Sequence, residues 1–281
     1  MSAGLRHKGV MLMQLDHLLH EIVLVNSHPI DEHSLFSMDF YDRLQHISMQ
    51  FSAARREDAA VFNTFIDTHK DLLAELDRKA LDYEMKYEEQ MSGMMSRRLA
   101  IPQSELESIS NNRNKFIDFY RQLYNAERAL IRSDAENICH VGCGPMPTSV
   151  LMWAKYSACQ ITALDIIQDA VAQAQNVFDC WRIPKDVEAH RVRFLCQPGE
   201  AFDYKDMDVI ILSSSIMNKK NLYAAIKKTI TKTVDVIERE PNFLYESGYL
   251  NADEMAEQFI AKTTLNNVNI RLYRLSPEQQ E

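Results

Sequence analysis

Apolar residues recur at every third or fourth position through the first part of the chain, then in short, nearly unbroken runs through the rest. Leu12, Leu15, Leu18, Leu19 and Ile22 fit one helical stripe, as do Phe62, Phe65, Ile66, Leu72, Leu73 and Leu76. Phe116, Phe119, Tyr120, Leu123 and Glu127 share another helix face. Between Val10 and Val141 the only glycine is Gly93 and the only prolines are Pro29 and Pro102, so little interrupts the helices. The pattern predicts an all-helical N-terminal domain over residues 1–130.

From Asn137 the texture changes. β-prone runs at Asn137–Val141, Gln160–Leu164, Val192–Leu195, Val209–Leu212, Val234–Ile237 and Val268–Tyr273 alternate with helical patterns at Thr148–Lys155, Gln168–Phe178, Lys219–Thr229 and Asp253–Ala261. Such alternation predicts an α/β fold with a parallel, doubly wound sheet, hence a Rossmann-like domain over residues 131–281.

Composition narrows the function classes. A chain that is 46% hydrophobic and 25% charged is an ordinary globular protein. Its net charge of -9 argues against nucleic acid as a partner, because phosphate neutralisation needs clustered Lys and Arg. Val10–Val25 is interrupted by Asp16, His17, His20 and Glu21, and reads as an amphipathic helix rather than a signal peptide or membrane span. The five cysteines make no CxxC pair, which fits a reduced, cytoplasmic compartment. His17/His20 and His28/His33 have ligand-like spacing but no Cys or paired acidic cluster beside them, so no bound metal is expected. Arg55-Arg56 and Arg97-Arg98 read as solvated basic pairs that could also grip a substrate carboxylate.

The informative stretch is Ile138-Cys139-His140-Val141-Gly142-Cys143-Gly144-Pro145-Met146-Pro147-Thr148, a strand that runs into a Gly-x-Gly turn and then a helix. Gly142 and Gly144 let the backbone turn sharply and approach a ligand, with Cys143 and Pro145 completing the loop. Pro147 stands where a dinucleotide loop has its third glycine, which disfavours a tightly packed pyrophosphate. Asp165 ends the second strand, where a carboxylate can accept hydrogen bonds from both ribose hydroxyls. Together these favour S-adenosylmethionine over NAD. Gly199 and Glu200, after the third strand, occupy the place where such folds meet an adenine, although a plain turn explains them equally well. Cys143 reads as a structural residue.

The run Gly142-Cys143-Gly144-Pro145-Met146-Pro147-Thr148-Ser149 resembles the nicotianamine synthase family and its bacterial opine-metallophore relatives of the staphylopine and pseudopaline type. Asp208–Leu212, followed by Ser213–Met217 and a Lys-rich helix, resembles the family's fourth-strand region. Phe119-Tyr120-Arg121-Gln122-Leu123, with Glu127 seven residues after Tyr120, resembles its NYxxLxxxE segment. The resemblance runs from about residue 80 to the C-terminus.

That resemblance implies transfer of the 3-amino-3-carboxypropyl (aminobutanoyl) arm of S-adenosylmethionine to an amine, with release of methylthioadenosine. The bacterial relatives add one such unit to an amino acid, typically histidine, and a downstream opine dehydrogenase completes a metal chelator. The family takes a Glu and a Tyr from the helical part. Here these are Glu84, with Glu88 one turn on as the alternative, and Tyr120, with Phe116 as the alternative. A solvated helix face for Glu84 and core packing for Tyr120 are the plainer readings. Nicotianamine synthase proper with repeated transfers, an ordinary methyltransferase and a non-catalytic cofactor sensor are the rivals. The oligomeric state stays open, a homodimer being one option.

Overall fold

The computed structural model describes residues 2–31, 34–35, 39–97, 118–181, 191–216, 219–241, 259–265 and 268–277. The chain divides into two compact units, Met1–Tyr87 with Pro241–Ser247, and Glu88–Glu240 with Gly248–Glu281.

In the first unit the described elements up to Tyr87 are helices: α1 (Ser2–Ser27), α2 (Asp39–Glu57), α3 (Ala59–Thr68) and the first part of α4 (Lys70–Arg97). Their stripes meet in one core. Leu15, Leu18, Ile22 and Val25 of α1 join Phe40, Leu44, Ile47 and Phe51 of α2, Phe62 and Phe65 of α3, and Leu73, Leu76, Ala80 and Tyr83 of α4. Side chains three and four apart lie on one helix face, so each helix turns one apolar stripe inward. Phe40 and Tyr83 stack with ring centroids 4.7 Å apart. The start of α3 is set by Asp58, which is extended and accepts hydrogen bonds from the amides of Ala60 and Val61 at 3.1 Å. Such a cap satisfies donors that the first helical turn leaves orphaned. The end of α1 is tied to α4 by Asn26, whose amide nitrogen donates to the Leu72 carbonyl (3.0 Å) and whose carbonyl accepts from Lys79 (2.5 Å).

The division between the units falls at Tyr87/Glu88, inside α4, rather than near residue 130. Packing explains the difference. Beyond Glu88 the helix belongs with the sheet: Ser92 is fully buried and donates to Gln173 Oε1 at 2.5 Å.

The second unit adds helix α5 (118–130) and a seven-stranded sheet. The strands are β1 (Asn137–Val141), β2 (Gln160–Asp165), β3 (Val192–Cys196), β4 (Val209–Leu212), β5 (Val234–Pro241), β6 (Phe259–Leu265) and β7 (Val268–Leu275), in the order β3-β2-β1-β4-β5-β7-β6. Pairings β1/β2, β1/β4, β2/β3 and β4/β5 are parallel. The helices between them are α6 (Thr148–Tyr156), α7 (Gln168–Trp181) and α8 (Lys219–Thr229). The central strands are buried on both faces, which is why β4 is apolar throughout (Val209, Ile210, Ile211, Leu212) instead of alternating.

One expected element is corrected. The helix anticipated over Asp253–Ala261 is not formed at its end, since Phe259–Ala261 opens β6, which pairs antiparallel with β7; residues 253–258 lie outside the described set. Phe259, Ile260, Thr263 and Thr264 are β-formers, and Asn266-Asn267 separates two such runs, so the local sequence favours a hairpin over a helix.

Each sheet face has its own cover. Cys139, Val141, Leu164, Ile210, Leu212 and Val236 pack with Leu222, Tyr223 and Ile226 of α8 and with Tyr273 and Leu275 of β7. The other face carries a buried polar cluster. Glu127 of α5 is 0% exposed and Arg239 of β5 is 5% exposed. Arg239 Nε donates to Glu127 Oε1 at 2.5 Å, and Nη2 donates to Oε2 at 3.0 Å, a bidentate pair. Nη2 also donates to Ser149 Oγ (2.5 Å), Nη1 faces His140 Nε2 (3.3 Å), and Trp153 Nε1 donates to Glu127 Oε2 (3.1 Å). Burial, and after it Arg239, holds the His140 imidazole well below its usual pKa. The ring is therefore neutral; a guanidinium only donates, so Nε2 accepts and the proton sits on Nδ1.

Two stability predictions follow from these cores. Removing one partner of the buried pair, as in Glu127→Ala or Arg239→Met, strands the other charge and should cost about 3–5 kcal/mol in urea unfolding. The double variant Glu127→Leu/Arg239→Met should cost clearly less than the two single costs added together. In the first unit, Asp77 carries a buried Oδ1 without a hydrogen-bond partner among the described residues, and burial pushes its carboxyl up to about 7. Between the ordinary value of 3.8 and about 7 the folded chain thus binds more protons than the unfolded one, so Asp77 makes stability fall as pH rises through that window. Asp77→Asn should flatten that part of the stability–pH curve and stabilise the protein at pH 8 by about 1–3 kcal/mol.

Candidate cofactor site

The register Val141↔Leu164 and Val141↔Leu212 sets the carboxyl ends of β1, β2 and β4 side by side. Strand order reverses at β1, and open α/β sheets hold ligands in the crevice at such a switch point. The Gly-x-Gly turn leaves β1 there. Gly142 and Gly144 have φ of 75° and 64°, in the left-handed region where a side chain is strained. The amides of Gly142 and Cys143 both donate to the Leu164 carbonyl, at 2.9 and 3.0 Å, which bends the chain across the end of β2.

Asp165 completes the turn. Its Oδ2 accepts from the Gly144 amide at 2.9 Å and its Oδ1 from the Ile167 amide at 3.0 Å, so the predicted loop and the predicted acidic residue form one hydrogen-bonded unit. A carboxylate has about four lone-pair sites, which leaves acceptor capacity for a ribose diol. Ser213 and Ile216 close the crevice from the β4 side: a Cβ on Gly142 would lie 3.1 Å from Ser213 Cβ and 3.3 Å from Ile216 Cγ1. On the opposite side stands Glu88 of α4, whose carboxylate occupies the space that a Cβ on Gly144 would need.

Two carboxylates therefore flank the loop. Burial pushes the Cys143 thiol far above its usual range, and the negative charges of Asp165 and Glu88 push it further. Such a thiol supplies no thiolate, in agreement with a structural role for Cys143. The same negative field works against a phosphate group at the turn. Beside Asp165, Ile166 is 68% exposed and Ile167 is 44% exposed, an apolar surface at the strand end. Sequence reasoning missed these two, although a pair of isoleucines where a polar turn is the norm was the pattern that pointed to them.

The other predicted residues fall as follows. Gly199 is buried in a short 3-10 turn (Gly199–Ala201), where a Cβ would lie 2.8 Å from both Leu222 Cδ1 and Val141 Cγ1. Tyr204 donates its hydroxyl to the Gly199 carbonyl at 2.9 Å, so packing accounts for glycine at this position. Glu200 beside it is exposed, as is Gln160 at the start of β2, while Pro145 is half-buried. Tyr120 is half-buried on α5, its ring edge-on to Phe119 at 5.3 Å; Phe116 lies outside the described residues. Glu84 is accessible to water, yet desolvation raises its carboxyl above the usual range. Among the described residues no three His, Cys, Asp or Glu side chains converge as a metal site, and no helix is long and apolar enough to cross a membrane.

Gly144→Ala tests the loop geometry. The left-handed backbone alone costs roughly 1–2 kcal/mol for a side chain, and the collision with Glu88 adds to it. Thermal unfolding of Gly144→Ala, Glu88→Ala and the double variant should show a coupling of about 0.5–2 kcal/mol, the alanine at 144 costing less once Glu88 is shortened.

No protein-family model and no curated protein matches the sequence. Solved structures do match. A glutamate-to-glutamine mutant of the nicotianamine synthase MtNAS in complex with S-adenosylmethionine superposes with a TM-score of 0.70 at 15% identity, covering 93% of this chain and 98% of that one. A second structure of the same mutant gives a TM-score of 0.72 at 15% identity and covers 94% and 98%. MtNAS in complex with MTA and tNA gives 0.68 at 15% identity and covers 96% and 98%. Along nearly its whole length, the chain has the fold of these nicotianamine synthase structures.

Proposed function

We propose that the protein transfers the 3-amino-3-carboxypropyl (aminobutanoyl) group of S-adenosylmethionine to the amine of an amino acid, histidine being favoured, and releases methylthioadenosine. The observation that carries this reading is the glycine loop bound to Asp165 and flanked by Glu88, a site built for a cationic nucleoside without phosphates. It is supported by the likeness in fold to MtNAS structures in complex with S-adenosylmethionine and with MTA.

In this reading the bare glycine backbone of the loop lets the adenosine approach closely, with the diol on the Asp165 carboxylate and the base against Ile166. Turning the arm so that its γ-carbon, rather than the methyl, meets the acceptor is a matter of orientation. The acceptor nitrogen attacks that carbon, the carbon–sulfur bond breaks towards sulfur, and the sulfonium leaves as the neutral thioether. The nitrogen must first lose a proton, because an ammonium has no lone pair. We assign that proton to Glu84, whose raised carboxyl suits a base, with Tyr120 orienting the amine. Cysteine chemistry takes no part. A product with new amine and carboxylate groups suits a downstream opine dehydrogenase in metallophore biosynthesis, and the reaction is assigned to the cytoplasm.

Mass spectrometry of the purified protein with S-adenosylmethionine and an amino-acid mixture containing L- and D-histidine tests this directly. Methylthioadenosine and an amino acid heavier by one aminobutanoyl unit are expected. Further units would make it nicotianamine synthase proper, S-adenosylhomocysteine would make it a methyltransferase, and no turnover despite cofactor binding would favour a sensor. Glu84→Gln should lower turnover by about 10²–10⁴ while leaving cofactor affinity within about threefold. The base acts deprotonated, so turnover should rise with pH through the raised pKa of Glu84, and this limb should vanish in the variant.

A further inference from the structure

We infer that Asp77 reads the acceptor: its carboxylate receives the side-chain N–H of the amino acid whose α-amine meets Glu84. The inference rests on the transfer reading above, with Glu84 as its base, and adds the group that selects among amino acids. Asp77 and Glu84 both lie in the first unit, on the unbroken helix α4. Seven residues make nearly two whole turns, so the two side chains leave one face of the helix, about 10 Å apart along its axis. The core stripe of Leu73, Leu76, Ala80 and Tyr83 runs beside them. Asp77 is singled out by what it lacks. Its Oδ1 is sealed from water and has no hydrogen-bond partner among the described residues. Burial is the whole cause of its raised carboxyl, and no neighbouring charge of either sign contributes. Other carboxylates of the unit are engaged: Asp58 caps α3, and Asp82 pairs with Lys86 at 2.9 Å. The residue as a whole is half-buried, so its carboxyl is closed on one side and open on the other. A carboxylate drawn out of water without a partner weakens the fold that holds it. Folding gains nothing from Asp77, and the partner it lacks is one that arrives with a ligand.

The spacing then sets the ligand class. A nitrogen held at each carboxylate by a charge-assisted hydrogen bond of about 2.8 Å leaves about 5 Å between the two nitrogens of a bridging ligand. That is the reach of histidine from its α-amine to the far nitrogen of its ring. An apolar side chain offers no donor and would leave Asp77 as stranded as before. An acidic one would set like charge against it. The α-amine gives its proton to Glu84 and attacks the carbon of the donor, while the N–H at Asp77 stays intact throughout. No bond forms or breaks there, so Asp77 acts on acceptor binding and not on the chemical step. Glu84 and Asp77 thereby divide the work along one helix face, one receiving the proton and the other recognising the side chain.

Steady-state release of methylthioadenosine by the full chain decides the matter, with L-histidine, D-histidine and alanine as acceptors. The assay is run at pH 8, above the raised value of about 7, so that Asp77 is ionised. Asp77→Asn keeps the shape of the side chain, removes its charge and is the variant expected above to gain stability, so loss of the fold does not obscure the result. For histidine its KM should rise about tenfold or more, with kcat within about threefold of the wild type. For alanine kcat/KM should change less than about threefold, so the preference for histidine shrinks about tenfold. Asp71→Asn, at an exposed position on the first turn of α4, should leave that preference unchanged. Equal loss for both amino acids, a loss confined to kcat, or no loss for either overturns the role of Asp77 and leaves the proposed transfer standing. So does a wild-type chain whose acceptor carries no side-chain N–H. Absence of transfer to any amino acid sinks the transfer reading itself, and this inference with it.

Discussion

The bidentate pair between Glu127 and Arg239 is the constraint on which the second unit turns. Its two residues are 112 positions apart, and the cluster around them joins α5, the end of β1, the start of α6 and the end of β5. A charge inside a protein is tolerated only when every strong donor and acceptor finds a partner. Here the carboxylate takes three hydrogen bonds, two from Arg239 and one from Trp153. Any displacement of α5 would leave charge unpaired at several points at once. The cluster thus sets where β1 ends and where α6 begins, and the glycine loop is the segment strung between them.

Much of this architecture could be read from the chain before any coordinates. Asn137–Val141, Val209–Leu212 and Lys219–Thr229 were legible to the residue, because a strand buried on both faces must be apolar throughout and an amphipathic helix must keep its period. The loop and Asp165 were legible for a related reason: glycine and an acid at a strand end are local chemistry. What escaped depended on distant partners. Glu127 was visible only as one position on a helix face, since nothing near it announces Arg239. Glu88 was visible as an alternative to Glu84, but its approach to Gly144 crosses more than fifty residues of chain. Phe259–Leu265 escaped for another reason: Phe259, Ile260 and Ala261 read as the end of a helical pattern begun at Asp253, so the strand was entered as a helix. The boundary near residue 130 was drawn where the pattern changes, whereas the compact units follow packing along α4.

The site also shows how a common nucleotide-binding frame is turned away from nucleotides. Strand, glycine turn and helix are usually read as a phosphate cradle, because helix amides point outward at the turn. In this chain Pro147 removes one of those amides, Asp165 takes another, and Glu88 adds a negative charge beside them. Each change works against an anion at the turn. Discrimination against an anion is therefore distributed over three elements and does not reside in the loop alone.

The double hydrogen bond that Asp165 accepts from Gly144 and Ile167 has a consequence for the entropy of recognition. Those two amides hold the carboxylate in one rotamer before any ligand arrives. Under the proposed function a ribose would meet lone pairs already aimed, the ordering cost of that side chain having been met when the protein folded. An asparagine at 165 would turn an N–H towards one of the two amides, donor against donor. The loss would then reach beyond one charge, because the turn itself would have to relax, and a rigid recognition surface would become one that the ligand must assemble for itself.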